Sequence, residues 1–228
     1  MYILSLLILL TIYFGVIYLM KYMKNVCLWN FIFVILVHIS YFSLVIKIGL
    51  DVGLHDWNFK NTLLTANVSP FMFTSLLLFY VLPKKIKKYY MTLISLLSVG
   101  FLLAVIFNAS YFQSINYSFH YHFLFDYIAH LSLSLLGIYF IRSGQIDLSK
   151  KSSIIGGLII ITVAIIMMVL NIILDTSFFG LSLNGKHNIY NNVIVAHSYI
   201  SALIYYCGLS AVLFLGYLVM KFIKKKIK

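Results

Sequence analysis

The chain has 228 residues, 63% of them hydrophobic and 10% charged, against roughly half apolar and a quarter charged in soluble proteins. That excludes a water-soluble globular domain, and loops mostly under about twenty residues leave no room for a separate soluble core. The net charge of +12, from 17 basic and 5 acidic residues, does not point to nucleic acid, because the lysines sit in short runs flanking apolar stretches, where membrane topology and anionic lipid head groups account for them.

A crossing of about 30 Å of hydrocarbon takes roughly twenty apolar residues. Taken in chain order, seven stretches approach that length: Tyr2 to Met20, Val26 to Ile46, Thr62 to Leu82, Tyr90 to Asn108, His122 to Ile141, Ser153 to Leu174 and Val193 to Met220. The sequence therefore predicts an all-α, multi-pass cell-membrane protein with one transmembrane domain over residues 1–228. The first stretch has no basic segment before it, and Lys21 and Lys24 follow it, so a cleaved signal peptide is not expected. The third is the least regular, with Asn67, Ser69 and Pro70 near its start. Cys27 and Cys207 fall inside apolar runs without metal-ligand spacing and read as small buried hydrophobes.

Lysine and arginine gather in alternate loops, on the cytoplasmic side of a membrane protein. Here Lys21 and Lys24, the run Lys84 to Lys88, Arg142 with Lys150 and Lys151, and the tail from Lys221 to Lys228 hold 14 of the 17 basic residues. Only Lys47, Lys60 and Lys186 remain for the other face. Seven crossings with the N-terminus outside and the C-terminus in the cytoplasm follow from this asymmetry. The terminal lysine cluster is expected to anchor on anionic head groups, and no internal repeat of the transporter kind is visible.

With that orientation, all seven histidines (His38, His55, His120, His122, His130, His187 and His197) fall in the outer half or outside, together with Asp51, Asp56, Asp126 and Asp175. The expected shape is a polar cavity opening outward over a dry base. Ionisable groups at membrane depth are costly and mark functional sites by default. Asp126 and His130 are four residues apart, hence on one helix face, with His122 a turn further out. A carboxylate beside an imidazole fixes its tautomer and prepares it as a general base. Asn67 or Ser69 can cap a helix whose first position is Pro70, which brings Thr74 to a depth comparable with His130. His38 and His197 stand alone on their helices. The histidines and a carboxylate are ligand types that suit a zinc-dependent membrane hydrolase, but no His-x-x-x-His occurs and the candidates are scattered over helices two, five and seven, so that reading ranks behind the others and no metal or cofactor is expected.

Tyr117 to Ile141, Leu170-Asn171 and the SPFMFT of Ser69 to Thr74 together resemble a family of bacterial membrane proteins known as YwaF-like, related to eukaryotic transmembrane acyltransferases that remodel phospholipids. Tyr117 to Ile141 is similar to the family's aromatic helix with His130 at its characteristic histidine, and Leu170-Asn171 resembles a Leu-Asn pair on the next helix. Ser69 to Thr74, SPFMFT, lines up with a Leu-Pro-Leu-x-Leu-Cys motif, so Thr74 stands where the family has cysteine. After Asn171, where the family has Gly-x-Asn-Tyr, this chain reads Asp175-Thr176-Ser177-Phe178. A distantly similar group of membrane lipid hydrolases pairs threonine with histidine. The resemblance thus implies acyl transfer or lipid-ester hydrolysis, with Thr74 as nucleophile, His130 as base and Asp126 as its orienter. His38, Asn67, Asn171 and His197 would line the substrate, and membrane lipids would be the partners. The competing expectation is a non-catalytic protein whose polar layer binds or transports a lipid or small solute.

Overall fold

The computed structural model describes residues 2–52, 68–114, 122–146, 148–174 and 198–227. They form seven α-helices in chain order: α1 Tyr2–Leu19, α2 Val26–Val52, α3 Val68–Ser75, α4 Lys84–Ser114, α5 His122–Arg142, α6 Lys150–Leu174 and α7 Ser198–Ile227. Short 3-10 helices at Met20–Tyr22 and Leu76–Tyr80 extend α1 and α3. Among the described residues there is no strand. Five helices, α2, α4, α5, α6 and α7, are long and apolar enough to cross a membrane, and the chain is a multi-pass membrane protein by that measure. The described parts of α1 and α3 are shorter apolar helices. Residues 62–67 of the third expected span and 193–197 of the seventh lie outside the described residues.

Local chemistry sets the ends. Asn25 caps α2 by accepting the Leu28 N–H on its side-chain oxygen at 3.1 Å, and Ser149 caps α6 by accepting the Ser152 N–H at 3.1 Å. Pro83, with its fixed φ, supplies the carbonyl that takes the Lys87 N–H at 2.9 Å and so launches α4. At the end of α5 the Gln145 N–H reaches back to Phe140 O and the Gly144 N–H to Ile141 O, both at 3.1 Å. Gly144 has φ of 73°, the left-handed conformation that this closure requires. Helix α4 starts before the apolar run Tyr90 to Asn108, just after Pro83, and is described through Ser114 beyond it.

Helix α5 is the hub: 78% of its apolar span is buried, against 17% for α6 and 22% for α7. Small residues bring α4 against it. Ser95 donates to Gly137 O at 2.7 Å, and a Cβ at Gly137 would sit 2.8 Å from Ile94 O. Ser134 spends its one proton on Ser98 O at 2.8 Å. Tyr13 of α1 is therefore the donor in its 2.7 Å bond to Ser134. At the basic end, Tyr139 donates to Met23 O at 3.0 Å, Arg142 donates to Ile17 O at 2.5 Å, and the Asn30 and Gln145 amides exchange bonds of 2.6 and 3.0 Å. The α1–α2 connection is thereby tied to the end of α5. Cys27 and Cys207 are both exposed on the apolar exterior, where the sequence had placed them as buried; in lipid an apolar outer face suits a thiol as well as the core does.

Helix α7 meets α4 backbone to backbone, and the Cβ of any residue at position 216 would collide with the Leu96 carbonyl. Gly216→Ala is expected to lower the unfolding free energy in detergent by about 1–3 kcal/mol. Gly208→Ala, whose Cβ meets nothing within 4 Å, should leave it unchanged or raise it slightly. Thermal or denaturant unfolding of the purified variants measures both.

Candidate functional site

His130 stands about 18 Å along α5 from Arg142, in the middle of the bundle, and it is 6% exposed. Its ring is walled by Phe73 of α3, edge-on with centroids 5.3 Å apart, and by Phe101 of α4 at 6.3 Å. Phe73 in turn packs on Tyr41 of α2 at 4.8 Å. Phenyl rings of α3 and α4 thus wall the imidazole, and such a site requires every polar atom in it to find a partner.

Both ring nitrogens have one. Nδ1 lies 2.8 Å from the Asp126 carbonyl oxygen and 3.3 Å from Asp126 Oδ1. Two oxygen acceptors facing one nitrogen place the proton on Nδ1. In the neutral ring Nε2 is then an acceptor, and 2.8 Å from it is the hydroxyl of Ser69. The result is a directional chain: Ser69 O–H donates to His130 Nε2, and His130 Nδ1–H donates to Asp126. It runs from α3 into α5, and its order of hydroxyl, imidazole and carboxylate is the one that activates a serine. Asp126 is 17% exposed at its side chain, more open than His130.

Ser69 was legible only as a capping candidate beside Pro70. In the structure Ser69 lies within the described helix Val68–Ser75, with its hydroxyl committed to His130. The signal that could have found it is its spacing to Phe73: residues four apart share a helix face, and both meet the same imidazole. Thr74 follows Ser69 by five residues, about 140° around the helix. Its hydroxyl donates to Phe71 O at 3.1 Å, the local bond common for threonine in membrane helices. Ser75 bonds the Tyr90 hydroxyl at 2.7 Å and fastens α3 to the start of α4.

His38 lies about 18 Å along α2 from Val26, a depth similar to that of His130. Its Nδ1 donates to Val34 O at 2.8 Å, and its ring stacks on Phe42 with centroids 6.1 Å apart. Nε2 of His38 is buried without a hydrogen-bond partner among the described residues. Asn171 belongs to the last turn of α6, about 30 Å along from Lys150 and so near the opposite end of the bundle from the lysines. Asn67 and His197 lie outside the described residues, as do 53–66, 115–121 and 175–196, which by sequence join the helices at the end where the outward cavity was expected. Among the described residues no three His, Cys, Asp or Glu side chains come together as metal ligands would.

No protein-family model matches the chain, and no curated protein or solved structure matches it.

Proposed function

We propose that the chain is a cell-membrane enzyme of seven crossings, N-terminus outside and C-terminus in the cytoplasm, that cleaves or transfers an acyl group of a lipid ester with Ser69 as nucleophile. The observation that carries this reading is the Ser69–His130–Asp126 chain of hydrogen bonds at membrane depth. Membership in the YwaF-like family belongs to the same proposal. There the family's cysteine position falls on Thr74, whereas the hydroxyl that bonds the imidazole is that of Ser69, five residues earlier on the same short helix.

The chemistry follows from the proton positions. As Ser69 Oγ attacks the ester carbonyl, its proton passes to His130 Nε2, and the ring becomes positive beside Asp126. Collapse of the tetrahedral intermediate expels the lipid alkoxide, which takes that proton and leaves as an alcohol. Water, or a second alcohol, then gives its proton to Nε2 and attacks the acyl-serine, restoring the hydroxyl and releasing acid or new ester. Asp126 stabilises the charged ring, while its own main-chain carbonyl holds the tautomer. His38, Asn67, Asn171 and His197 are proposed contacts of the lipid substrate.

A second reading rests on a specific observation. Nδ1 is nearer to the main-chain carbonyl than to the carboxylate, and the ring is enclosed by two phenyl groups. A histidine so held also serves as a hydrogen-bonded clamp between α3 and α5 in a protein that binds or carries a lipid without turnover.

Turnover of phospholipid and nitrophenyl esters by purified protein separates the readings. Ser69→Ala and His130→Ala are expected to lower kcat by at least about a thousandfold. Asp126→Asn should lower it by no more than about a hundredfold, because the backbone carbonyl still fixes the tautomer. Thr74→Ala should retain most activity, and loss in Thr74→Ala with retention in Ser69→Ala would return the nucleophile to the family position. A wild-type protein that binds ester lipid saturably and never releases product would select the clamp.

Orientation is checked in a cysteine-free background with a membrane-impermeant maleimide. Ser149→Cys should label only after permeabilisation and Asp56→Cys in intact cells; the reverse pattern would invert the topology.

A further inference from the structure

Away from His130, α6 and α7 both lean on α4 but touch each other far less than either touches α4. Between them lies a cavity of about 380 Å³, within the range of about 300–1,000 Å³ typical of small-molecule sites. Leu96 of α4 lines its floor. Its walls come from one face of each outer helix: Ser153, Ile154, Gly157, Leu158 and Ile161 on α6, and Ser210, Leu213, Phe214 and Tyr217 on α7. These positions recur at helical spacing, so each wall is a continuous apolar stripe. Ile154 is 53% exposed, Leu158 54% and Phe214 64%, so the crevice opens sideways toward the lipid phase.

Both stripes end in lysine at the same end of the bundle. Lys150, the first residue of α6, is itself part of the lining. On α7 the stripe 210, 213, 214, 217 continues to Lys221, whose ammonium sits 5.7 Å over the Tyr217 ring. Lys224 and Lys225 follow Lys221 within the next turn of the same helix. Of the five acidic residues in the chain, four fall by sequence toward the opposite end, and only Asp147 lies in a connection on this one. An apolar slot open to lipid and flanked at one end by cations matches the chemistry of an amphiphile that is oily along its length and negative at its head.

We propose that the α6–α7 crevice is a binding site for an anionic phospholipid, with an acyl chain against Leu96, Gly157 and Phe214 and the phosphate between Lys150 and Lys221. A neutral amphiphile would gain the apolar burial but not the charge pairing. The preference is therefore set by the two lysines, each of which attracts an anionic head group at the membrane surface. Its lining comes from α4, α6 and α7 and includes neither Ser69 nor His130, so it does not depend on the chemistry at Ser69.

The test uses the full chain in neutral detergent, titrated with phosphatidylglycerol or phosphatidylcholine of matched acyl chains and read by native mass spectrometry. Wild type is expected to retain one phosphatidylglycerol with roughly tenfold preference over phosphatidylcholine. Lys150→Gln with Lys221→Gln should bring that preference to near unity. Lys21→Gln with Lys24→Gln removes the same charge beside α1, away from the crevice, and should preserve it. Ser210→Trp, an exposed lining position whose new ring fills the slot without disturbing a buried contact, should lower retention of both lipids at least fivefold. Equal retention of the two lipids by wild type, equal loss in the two lysine pairs, or unchanged binding in Ser210→Trp would each overturn the proposal; the first two would leave only diffuse attraction to the basic surface.

Discussion

The arrangement around His130 depends on one proton being pinned. Nδ1 faces two oxygens of Asp126 and so keeps its hydrogen, which leaves Nε2 as the acceptor that Ser69 must satisfy. In water the same histidine would exchange partners freely. In an apolar interior, walled by Phe73 and Phe101, an unmade bond costs about 1–3 kcal/mol, and the pairing of α3 with α5 is correspondingly specified. One constraint therefore positions a short helix, aligns a hydroxyl with an imidazole, and leaves a carboxylate partly open beside them.

The same rule, that polar groups at membrane depth must be paired, organises the rest of the bundle. Tyr13, Ser134 and Ser98 relay hydrogen bonds from α1 through α5 to α4, and Tyr139, Arg142 and the Asn30–Gln145 pair close the basic end. These bonds concentrate on α5. Helices α6 and α7 are held to α4 mainly by apolar packing and by the close approach at Gly216. The bundle thus has a polar, tightly bonded half around α5 and an apolar, looser half where a lipid can enter.

Much of the fold was legible in the sequence because hydrophobic length and helical spacing are local properties. The apolar runs and helices agree closely at α5, and the four-residue separation of Asp126 and His130 became a 3.3 Å contact. Helix ends were less legible: α4 runs through Lys84 to Lys88, since Pro83 and not hydropathy starts it. Ser69 was the hardest to read. Its partner is 61 residues away, and a serine next to Pro70 looks like a helix cap until the packing of α3 on α5 is known. The crevice between α6 and α7 had no signature beyond two amphipathic stripes ending in lysine, which resemble ordinary lipid-facing helices.

The central claim is that Ser69 and His130 are energetically coupled across α3 and α5, and a double-mutant cycle in detergent measures it directly. Ser69→Ala and His130→Ala, alone and together, should give a coupling energy of about 0.5–2 kcal/mol, while Thr74→Ala with His130→Ala should be additive to within about 0.3–0.5 kcal/mol. Additive effects for the Ser69 pair would contradict the account.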